Sequence, residues 1–251
     1  GEPPREGAVY DSNRYTVFGL LTRLGVEVID MGVVPDEPAL LEAAFVQAAQ
    51  QADAIITSGG VSVGEADHTR ATMKTLGDVV FWRVAMRPGR PMAVGRINAP
   101  APELQAKLAS SAGNTGASSY QNNSNSATPP RSAILFGLPG NPVAVMVTFL
   151  AFVRPALLQM MGCHARSIQP APLLKARSTQ PIRKKAGRTE YQRGLVHTDA
   201  DGTLVVEVAG NQGSGVLSSM VQGNGLIVLP HTQGNVAAGD AVDVMVFDGV
   251  I

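Results

Sequence analysis

The sequence has a single cysteine, Cys163, among its 251 residues. One cysteine cannot form an intramolecular disulfide, so we expect a reducing compartment, the cytoplasm. The four histidines are scattered and lack the spacing of zinc ligands. A charge bias is also missing, because twenty basic residues balance twenty acidic ones. This balance argues against a nucleic-acid partner and against a charged membrane surface.

Long apolar runs are missing as well. The longest, residues 143–153, is shorter than the ~20 residues that a membrane span needs, and Arg154 and Pro155 end it. The polar start, GEPPREGAVYD, is unlike a signal peptide. Hydrophobic residues still make up 45% of the chain, which is enough for a sizeable core. We therefore expect a soluble protein with one large domain or two small ones, and no membrane partner.

Helical and strand-like patterns alternate through the first part of the chain. The patterns predict helices over residues 12–24, 38–52, 66–76 and 142–161, and strands over residues 26–31, 53–57, 79–84, 92–94 and 133–136. Such alternation is typical of a parallel sheet with helices on both faces. We predict an α/β domain over residues 1–165, built as a three-layer, doubly wound, mostly parallel sheet. Phe81 and Trp82, on a predicted strand, are expected in its core.

Two features depart from that pattern. Residues 98–132 are rich in Ser, Asn, Ala, Gly and Pro, a composition that buries too little apolar surface to offset the entropy of ordering. We predict a disordered insertion there. The chain also opens on a helix, whereas a doubly wound sheet usually opens on a strand, so we expect it to be the back part of a longer protein.

The final part of the chain has short strand-like runs and no long helical pattern. The runs cover residues 173–178, 191–197, 203–208, 225–229 and 241–247, with turn signals such as DADG at 199–202 between them. We predict a small, barrel-like, all-β domain over residues 166–251.

The stretch TSGGVSVGEAD, residues 57–67, follows an apolar strand and has glycines where side chains would be expected. Glycine permits positive φ and lets a ligand approach the backbone, and free amides before a helix suit an anion. Ser62 can donate to an oxyanion, and Glu65 and Asp67 can hold Mg²⁺. Local capping explains the same pattern, because Ser62 and Glu65 have capping-box spacing. The two readings are about equally good from this loop alone.

Two further loops follow predicted strands. LPGNP, residues 138–142, places Asn141 and Pro142 where a helix would begin, which fits a well-made turn or a second anion site. RPGRP, residues 87–91, is a stiff turn that presents Arg87 and Arg90. Arginine binds phosphate through two parallel hydrogen bonds, although a solvated basic turn explains the same pair. Ligands of open α/β sheets bind at the carboxyl ends of strands. Together the loops predict an anionic, phosphate-bearing ligand with a metal ion.

These loops and their surroundings resemble the molybdopterin molybdenumtransferases, the MoeA family that includes the gephyrin E domain. The resemblance is carried by TSGGVSVGEADHT, AMRPGRPMAVG, LFGLPGNPVAVMVTF, YDSNRYTVFGLLTRLGVEVIDMGVVPDEP, GRTEYQRG and NQGSGVLSSM. It covers nearly the whole chain outside residues 98–132. Many family members have lysine where this chain has Arg87 and Arg90, which keeps the charge and changes the donor geometry.

The resemblance implies a function and a set of site residues. It implies transfer of molybdate into adenylylated molybdopterin with release of AMP, dependent on a divalent cation such as Mg²⁺. Asp67, with Glu65, would be the catalytic carboxylate, and Asp67 would hold the metal. The implied ligand-binding residues are Asp11, Asn13, Gly59, Gly60, Ser62, Gly64, Arg87, Arg90, Pro139, Gly140, Asn141, Pro142, Arg188, Arg193 and Ser214.

The resemblance also implies partners, and two alternative functions remain. In the family, two N-terminal domains and a first strand precede these residues and contribute to a homodimer, and an adenylyltransferase that makes the adenylylated pterin is a possible partner. One rival function is that adenylyltransferase itself, which shares the α/β fold but lacks the trailing β domain. The other is a non-catalytic scaffold that binds the pterin or a peptide.

Overall fold

The computed structural model describes residues 10–61, 68–99 and 131–247, and its first part is a four-stranded sheet flanked by helices. The helices are α1 (Asn13–Leu24), α2 (Pro38–Gln51) and α3 (His68–Leu76). The strands up to the long helix are β1 (Ala54–Ser58), β2 (Gly77–Arg83), β3 (Met86–Arg87), β4 (Pro91–Asn98) and β5 (Ser132–Leu138). These bounds confirm the helices and strands predicted for this part of the chain, except the strand predicted at residues 26–31. Strand β4 is longer than predicted, and β3 was not predicted.

The first sheet is mixed, so the prediction of a mostly parallel sheet is wrong for the described strands. Its order is β1-β5-β4-β2. Strands β1 and β5 are parallel, whereas β4 is antiparallel to both β5 and β2. The connection between β2 and β4, residues 84–90, contains the two-residue strand β3 and is too short for the crossover that parallel neighbours need.

The predicted disordered insertion is wrong at both of its ends. Asn98 pairs with Ser132 across the β4–β5 ladder, and the amide of Ala99 donates to the carbonyl of Arg131 at 2.9 Å. The backbone of these residues is held by ladder hydrogen bonds, which composition alone does not predict. Residues 100–130 lie outside the described part of the chain.

The predicted strand at residues 26–31 is not a strand. Residues 26–34 pair with no strand among the described residues, and β1 beside them is an edge strand. The segment is held instead by Asp30, whose carboxylate accepts from the guanidinium of Arg14 at 2.7 Å and from the amide of Gly32 at 3.0 Å. A strand-like sequence becomes a strand only when a neighbour takes its peptide groups.

Helices cover both faces of the first sheet. Along β5, Phe136 and Leu138 pack into one core with α1, whereas Ala133 and Leu135 pack into a second core with α2 and α3. This alternation of side chains is the period-2 pattern of a strand that is buried on both faces.

A long apolar helical stretch, Pro142–Met160, follows β5. It consists of α4 (Pro142–Thr148), a π-helical turn (Phe149–Val153) and α5 (Arg154–Met160). By length and composition it resembles a membrane span, yet more than half of it is buried inside the protein. Val143, Val145 and Val153 have no exposed surface. It is therefore packed as the core helix of the fold.

The second part of the chain forms a small β-barrel, as predicted. Its strands are β6 (Leu174–Ser178), β7 (Thr189–Thr198), β8 (Leu204–Val208), β9 (Gly225–Leu229) and β10 (Ala241–Val246), with the short helix α6 (Ser218–Gln222) before β9. The order is β3-β7-β8-β6-β10-β9, and an additional pairing of β9 with β7 closes the ring. Strand β3 joins from outside, since Arg87 pairs with Glu190.

The expectation that Trp82 lies in the core is wrong. Its side chain is 57% exposed on edge strand β2. Its neighbour Phe81 is partly buried, with the guanidinium of Arg70 lying 4.4 Å from its ring centroid. Side chains alternate across a strand, and among the described residues α3 packs on the Phe81 face of β2.

The π-helical turn offers a matched pair of phenylalanines for a stability test. Phe149 is 1% exposed and Phe152 is 36% exposed. We expect Phe149→Ala to lower the free energy of unfolding by about 3–5 kcal/mol through the cavity it leaves. Phe152→Ala should cost about 1 kcal/mol. Urea denaturation followed by circular dichroism checks both, and equal losses would contradict this description of the core.

The β7–β8 turn predicts a pH dependence. Hydrogen bonds, first from the side chain of Thr203 and then from Asp199 and the Thr203 amide, lower the pKa of Asp201 to about 2. The unfolded value is about 3.9, so this stabilisation is present above about pH 4 and is lost as pH falls towards 2.

We expect Asp201→Asn to reduce the loss of stability between pH 5 and pH 2, measured as the change in urea midpoint. Asp53→Asn is the control, because the side chain of Asp53 is 87% exposed in a surface ion pair. If Asp201→Asn and wild type lose stability in parallel over this range, the turn does not depend on the ionised carboxylate.

Candidate functional site

The loop after β1 leaves the sheet through two glycines with positive φ. Gly59 has φ 88° and Gly60 has φ 66°. A Cβ added to Gly60 would lie 2.5 Å from Cγ2 of Thr69, so both the conformation and the space require glycine. The predicted site residues Ser62, Gly64, Glu65 and Asp67 lie outside the described residues, and their roles remain predictions.

Asn13 joins the start of α1 to the ends of β1 and β5. Its Nδ2 donates to Oγ of Ser58 and to the carbonyl of Gly140, both at 2.7 Å. The two strand-end loops also contact each other, since the amide of Gly59 donates to the carbonyl of Leu138 at 3.0 Å and Oγ of Ser58 donates to the carbonyl of Pro139 at 3.3 Å. Predicted residues from three loops thus meet at one sheet edge.

Ser58 was missed by the sequence reasoning. The signal that could have found it is its place as the last residue of a strand, directly before Gly59 and Gly60, where its hydroxyl can bridge neighbouring loops. Asp11, which was predicted, accepts the amide of Arg14 at 3.2 Å with Oδ1 and so caps α1.

The amide of Asn13 leaves one oxygen without a partner. Its Oδ1 is buried and accepts no hydrogen bond from the residues that the structure describes. The orientation of the amide is determined by its contacts, because the carbonyl of Gly140 can only accept and must face Nδ2. A buried acceptor without a donor costs free energy, and a bound water, metal ion or ligand N–H would recover that cost.

The LPGNP loop is tied to the barrel. Asn141 lies at the N-cap position of α4 without a side-chain cap, and its Nδ2 instead donates to Oγ of Ser214 at 2.9 Å. The carbonyl of Ser214 accepts the amide of Val143 at 3.1 Å. One amide of this helix start is therefore occupied by the protein, which leaves less of the terminus for an anion than the sequence implied.

The RPGRP turn packs on the same helix. Gly89 has φ 99°, and an added Cβ would lie 2.6 Å from Cγ2 of Thr148 in α4. Arg87 and Arg90, on either side of this buried glycine, are both exposed. The turn therefore holds two cationic side chains in solvent while its backbone is fixed against the core helix.

Arg193 is buried rather than free to meet a ligand. It is 1% exposed; its Nε donates to Oγ of Ser219 at 3.0 Å, and its Nη2 donates to the carbonyls of Asn211 at 2.6 Å and Gly213 at 3.1 Å. Burial, and then the charge of Arg87, lower the pKa of Arg193. This arginine holds the loop that delivers Ser214 to Asn141.

Arg87 and Arg193 line a cavity of about 330 Å³ between the turn and the barrel. Arg183, Glu190 and Gln212 also line it and were not predicted. Arg188, which was predicted to bind the ligand, does not line this cavity. Its Nε donates to the buried carboxylate of Glu190 at 2.7 Å. Three arginines and one carboxylate thus line the cavity, and an anion bound there would offset the repulsion between the guanidinium groups.

Comparison with protein families identifies both parts of the chain. A family described as "Probable molybdopterin binding domain" matches residues 5–159, and one described as "MoeA C-terminal region (domain IV)" matches residues 175–247. The chain belongs to the MoeA family.

Curated relatives extend this assignment. A molybdopterin molybdenumtransferase of Haemophilus influenzae is 37% identical over 251 residues, which are 100% of this chain and 54% of the relative. A second, from Nostoc sp., is 33% identical over 97% of this chain and 49% of the relative. Gephyrin of Dictyostelium discoideum is 29% identical over 95% of this chain and 33% of its own length. The chain thus spans about half the length, or less, of these curated relatives.

Solved structures support the fold. A molybdopterin biosynthesis MoeA protein from Pyrococcus horikoshii superposes with a TM-score of 0.70 at 24% identity, over 99% of this chain and 51% of its own. A molybdenum cofactor biosynthesis protein from Pyrococcus furiosus gives a TM-score of 0.63 at 24% identity, over 94% of this chain and 64% of its own. The α/β sheet followed by a small barrel is therefore a MoeA-like fold.

The buried contacts of Arg193 give a test of how the barrel loop is held. We expect Arg193→Met to lower the free energy of unfolding by about 1–3 kcal/mol, because the carbonyls of Asn211 and Gly213 lose their donors. Arg177→Met is the control, since Arg177 is exposed on β6. Thermal denaturation measures both, and equal stability of the two variants would show that Arg193 does not hold this loop.

Proposed function

We propose that this protein takes part in molybdenum cofactor biosynthesis by transferring molybdate into adenylylated molybdopterin, with release of AMP. The observation that carries the proposal is the meeting of Asn13, Ser58, Gly140, Asn141 and Ser214 at the carboxyl edge of the first sheet. Ligands of α/β sheets bind at this edge. The curated relatives named molybdopterin molybdenumtransferase support the substrate class.

Cleavage of a phosphoanhydride requires positioning and charge neutralisation more than covalent help. The exposed Arg87 and Arg90 supply positive charge on a turn fixed to α4, and the cavity beside Arg87 and Arg193 suits an oxyanion such as molybdate. Gly59 and Gly60, which lack side chains, allow a phosphate to approach the backbone. In this proposal Arg193 acts through the loop that it holds, and Ser214 and Asn141 face the ligand.

The oxygen donors present fit a hard divalent cation. At the start of α1 lie the carboxylate of Asp11 and Oδ1 of Asn13, which accepts no hydrogen bond from the described residues, and Mg²⁺ prefers such oxygen ligands. Among the described residues no group of three His, Cys, Asp or Glu side chains forms a metal site. We therefore propose Asp67, with Glu65 beside it, as the main metal-holding carboxylate. When bound, the cation would neutralise phosphate charge.

The proposal extends to the organisation of the whole protein. We infer a three-layer, doubly wound domain over residues 1–165 and a β domain over residues 166–251, which is supported by helices on both faces of the first sheet and by the closed barrel. We also propose a cytoplasmic protein that acts as a homodimer at full length and receives its substrate from an adenylyltransferase.

The test of this function is AMP release from adenylylated molybdopterin, with and without molybdate and Mg²⁺, by the full-length protein. We expect molybdate-dependent release that falls at least about 100-fold in Asp67→Asn, since a group that stabilises transition-state charge is lost. Asp78→Asn is the matched control, because Asp78 is exposed on β2, away from the loop cluster.

The other outcomes decide between functions. Formation of adenylylated pterin from molybdopterin and ATP, without AMP release in the presence of molybdate, would identify an adenylyltransferase; the contact of Ser214 from the barrel with Asn141 argues against it. Pterin or peptide binding without either reaction would identify a scaffold. Unchanged release by Asp67→Asn would overturn the metal role of that carboxylate.

A further inference from the structure

Glu190 is a buried carboxylate that the proposed reaction does not use. It lies on β7 with 2% of its surface exposed, and among the described residues that line the cavity of about 330 Å³ it is the one acidic side chain. A carboxylate is expensive to bury, and an apolar side chain of similar volume often stabilises a fold as well or better. Stability alone therefore gives little reason for a charge at this position, and its contacts indicate another role.

The carboxylate of Glu190 holds the guanidinium of Arg188 by one of its nitrogens. Nε of Arg188 donates to Oε1 of Glu190 at 2.7 Å, and Nε2 of Gln192 donates to Oε2 at 3.2 Å. Arg188 directly precedes β7, and the spacing of two residues places it on the same face as Glu190 and Gln192. Gln192 thus orients the carboxylate, and the carboxylate orients the arginine.

The rest of the Arg188 guanidinium is available to a ligand. The side chain is 37% exposed, and among the described residues its hydrogen bond to Glu190 is the only one it makes. The two Nη atoms carry four further N–H donors, and in the planar guanidinium they form the edge opposite Nε. Arginine can bind an oxyanion through two parallel hydrogen bonds from this edge.

Arg87 is a second arginine beside Glu190, and it is not held by that carboxylate. The parallel pairing of β3 with β7 sets Arg87 opposite Glu190. Among the described residues the ion pair of Glu190 is with Arg188, whereas Arg87 is exposed and lines the cavity. An oxyanion at this end of the cavity would therefore meet one arginine that is already fixed and one that is not.

We propose that Glu190 is a positioning residue for molybdate binding, which holds Arg188 by Nε so that the Nη edge meets the oxyanion beside Arg87. The inference deepens the proposed function and rests on it. Glu190 does not itself touch the anion, since two negative groups repel each other. An arginine that is ordered before the anion arrives loses less side-chain entropy on binding. The hydrogen bond of Glu190 therefore favours anion binding, although its charge opposes it.

Two substitutions separate the hydrogen bond of Glu190 from its charge. Glu190→Gln removes the charge and keeps an oxygen for Nε of Arg188, whereas Glu190→Met removes both in a side chain of similar length. We expect Glu190→Gln to bind molybdate at least as tightly as wild type, and Glu190→Met to bind it about tenfold more weakly. Isothermal titration calorimetry of molybdate into the full-length protein measures both, and Glu207→Gln, at an exposed position on β8, is the control. Equal affinities of the two Glu190 variants would overturn the proposal, as would a wild type that does not bind molybdate.

A double-mutant cycle shows whether Glu190 acts through Arg188. In an Arg188→Met background, Glu190→Gln and Glu190→Met should bind molybdate equally, and a difference as large as the one without Arg188→Met would overturn the proposal. If circular dichroism shows that Glu190→Met does not fold, Glu190→Asp replaces it, because the shorter side chain keeps the charge and withdraws the acceptor from Nε. Glu190→Asp should also bind molybdate about tenfold more weakly than wild type, and unchanged affinity would contradict the role of Glu190.

The AMP-release assay separates this role from the proposed function. Glu190→Met should raise the KM for molybdate about tenfold and leave kcat within about threefold, because weaker binding of one substrate raises KM alone. A fall in kcat with an unchanged KM would contradict positioning for binding. If the wild type binds molybdate and releases no AMP, the proposed function fails, and the titrations still decide the role of Glu190.

Discussion

One hydrophobic core joins the two parts of the molecule, and the helical stretch from Pro142 to Met160 lies at its centre. Val143, Val145 and Phe149 of this stretch share a cluster with Phe136 and Leu138 of β5. The same cluster includes Met220, Leu226, Val228 and Met245 from the barrel. The barrel therefore cannot move against the sheet without opening a close-packed interior, which is costly.

The helical stretch from Pro142 to Met160 positions the loops of the candidate site. The stretch begins at Asn141, where Ser214 docks, and Gly89 of the arginine turn packs on Thr148. Strand β3 carries Arg87 onto the barrel through its register with Glu190. A site shared between a sheet edge, a turn and a barrel loop remains in register because one buried element touches all three.

The contacts within the site are mostly between neutral groups. Asn13, Ser58, Asn141 and Ser214 bond to one another or to carbonyls, and the buried guanidinium of Arg193 is met by carbonyls and a hydroxyl. Hydrogen bonds between neutral groups fix these loops, and the side chains of Arg87 and Arg90 remain exposed. Neither arginine forms an ion pair with a described residue, so both charges can act on an anionic ligand.

Local patterns in the sequence determined most elements and the choice of site loops. Gly25 ends α1 in a left-handed conformation, the alternating runs of the last third form the barrel strands, and the glycines at 59, 60 and 89 adopt positive φ. These features depend on the conformational range of single residues and on short-range periodicity, both of which are readable along the chain.

Only the tertiary structure decided how those elements pair and which polar groups remain free. Residues 26–31 do not form a strand because none of the described residues pairs with them, and β4 is antiparallel to β2 because its connection is short. Arg193 became a structural residue because its guanidinium is enclosed by Ser219 and the loop at 211–213. Pairing, enclosure and the partnering of polar groups are relations between residues far apart in sequence, so they emerge only when the chain is folded.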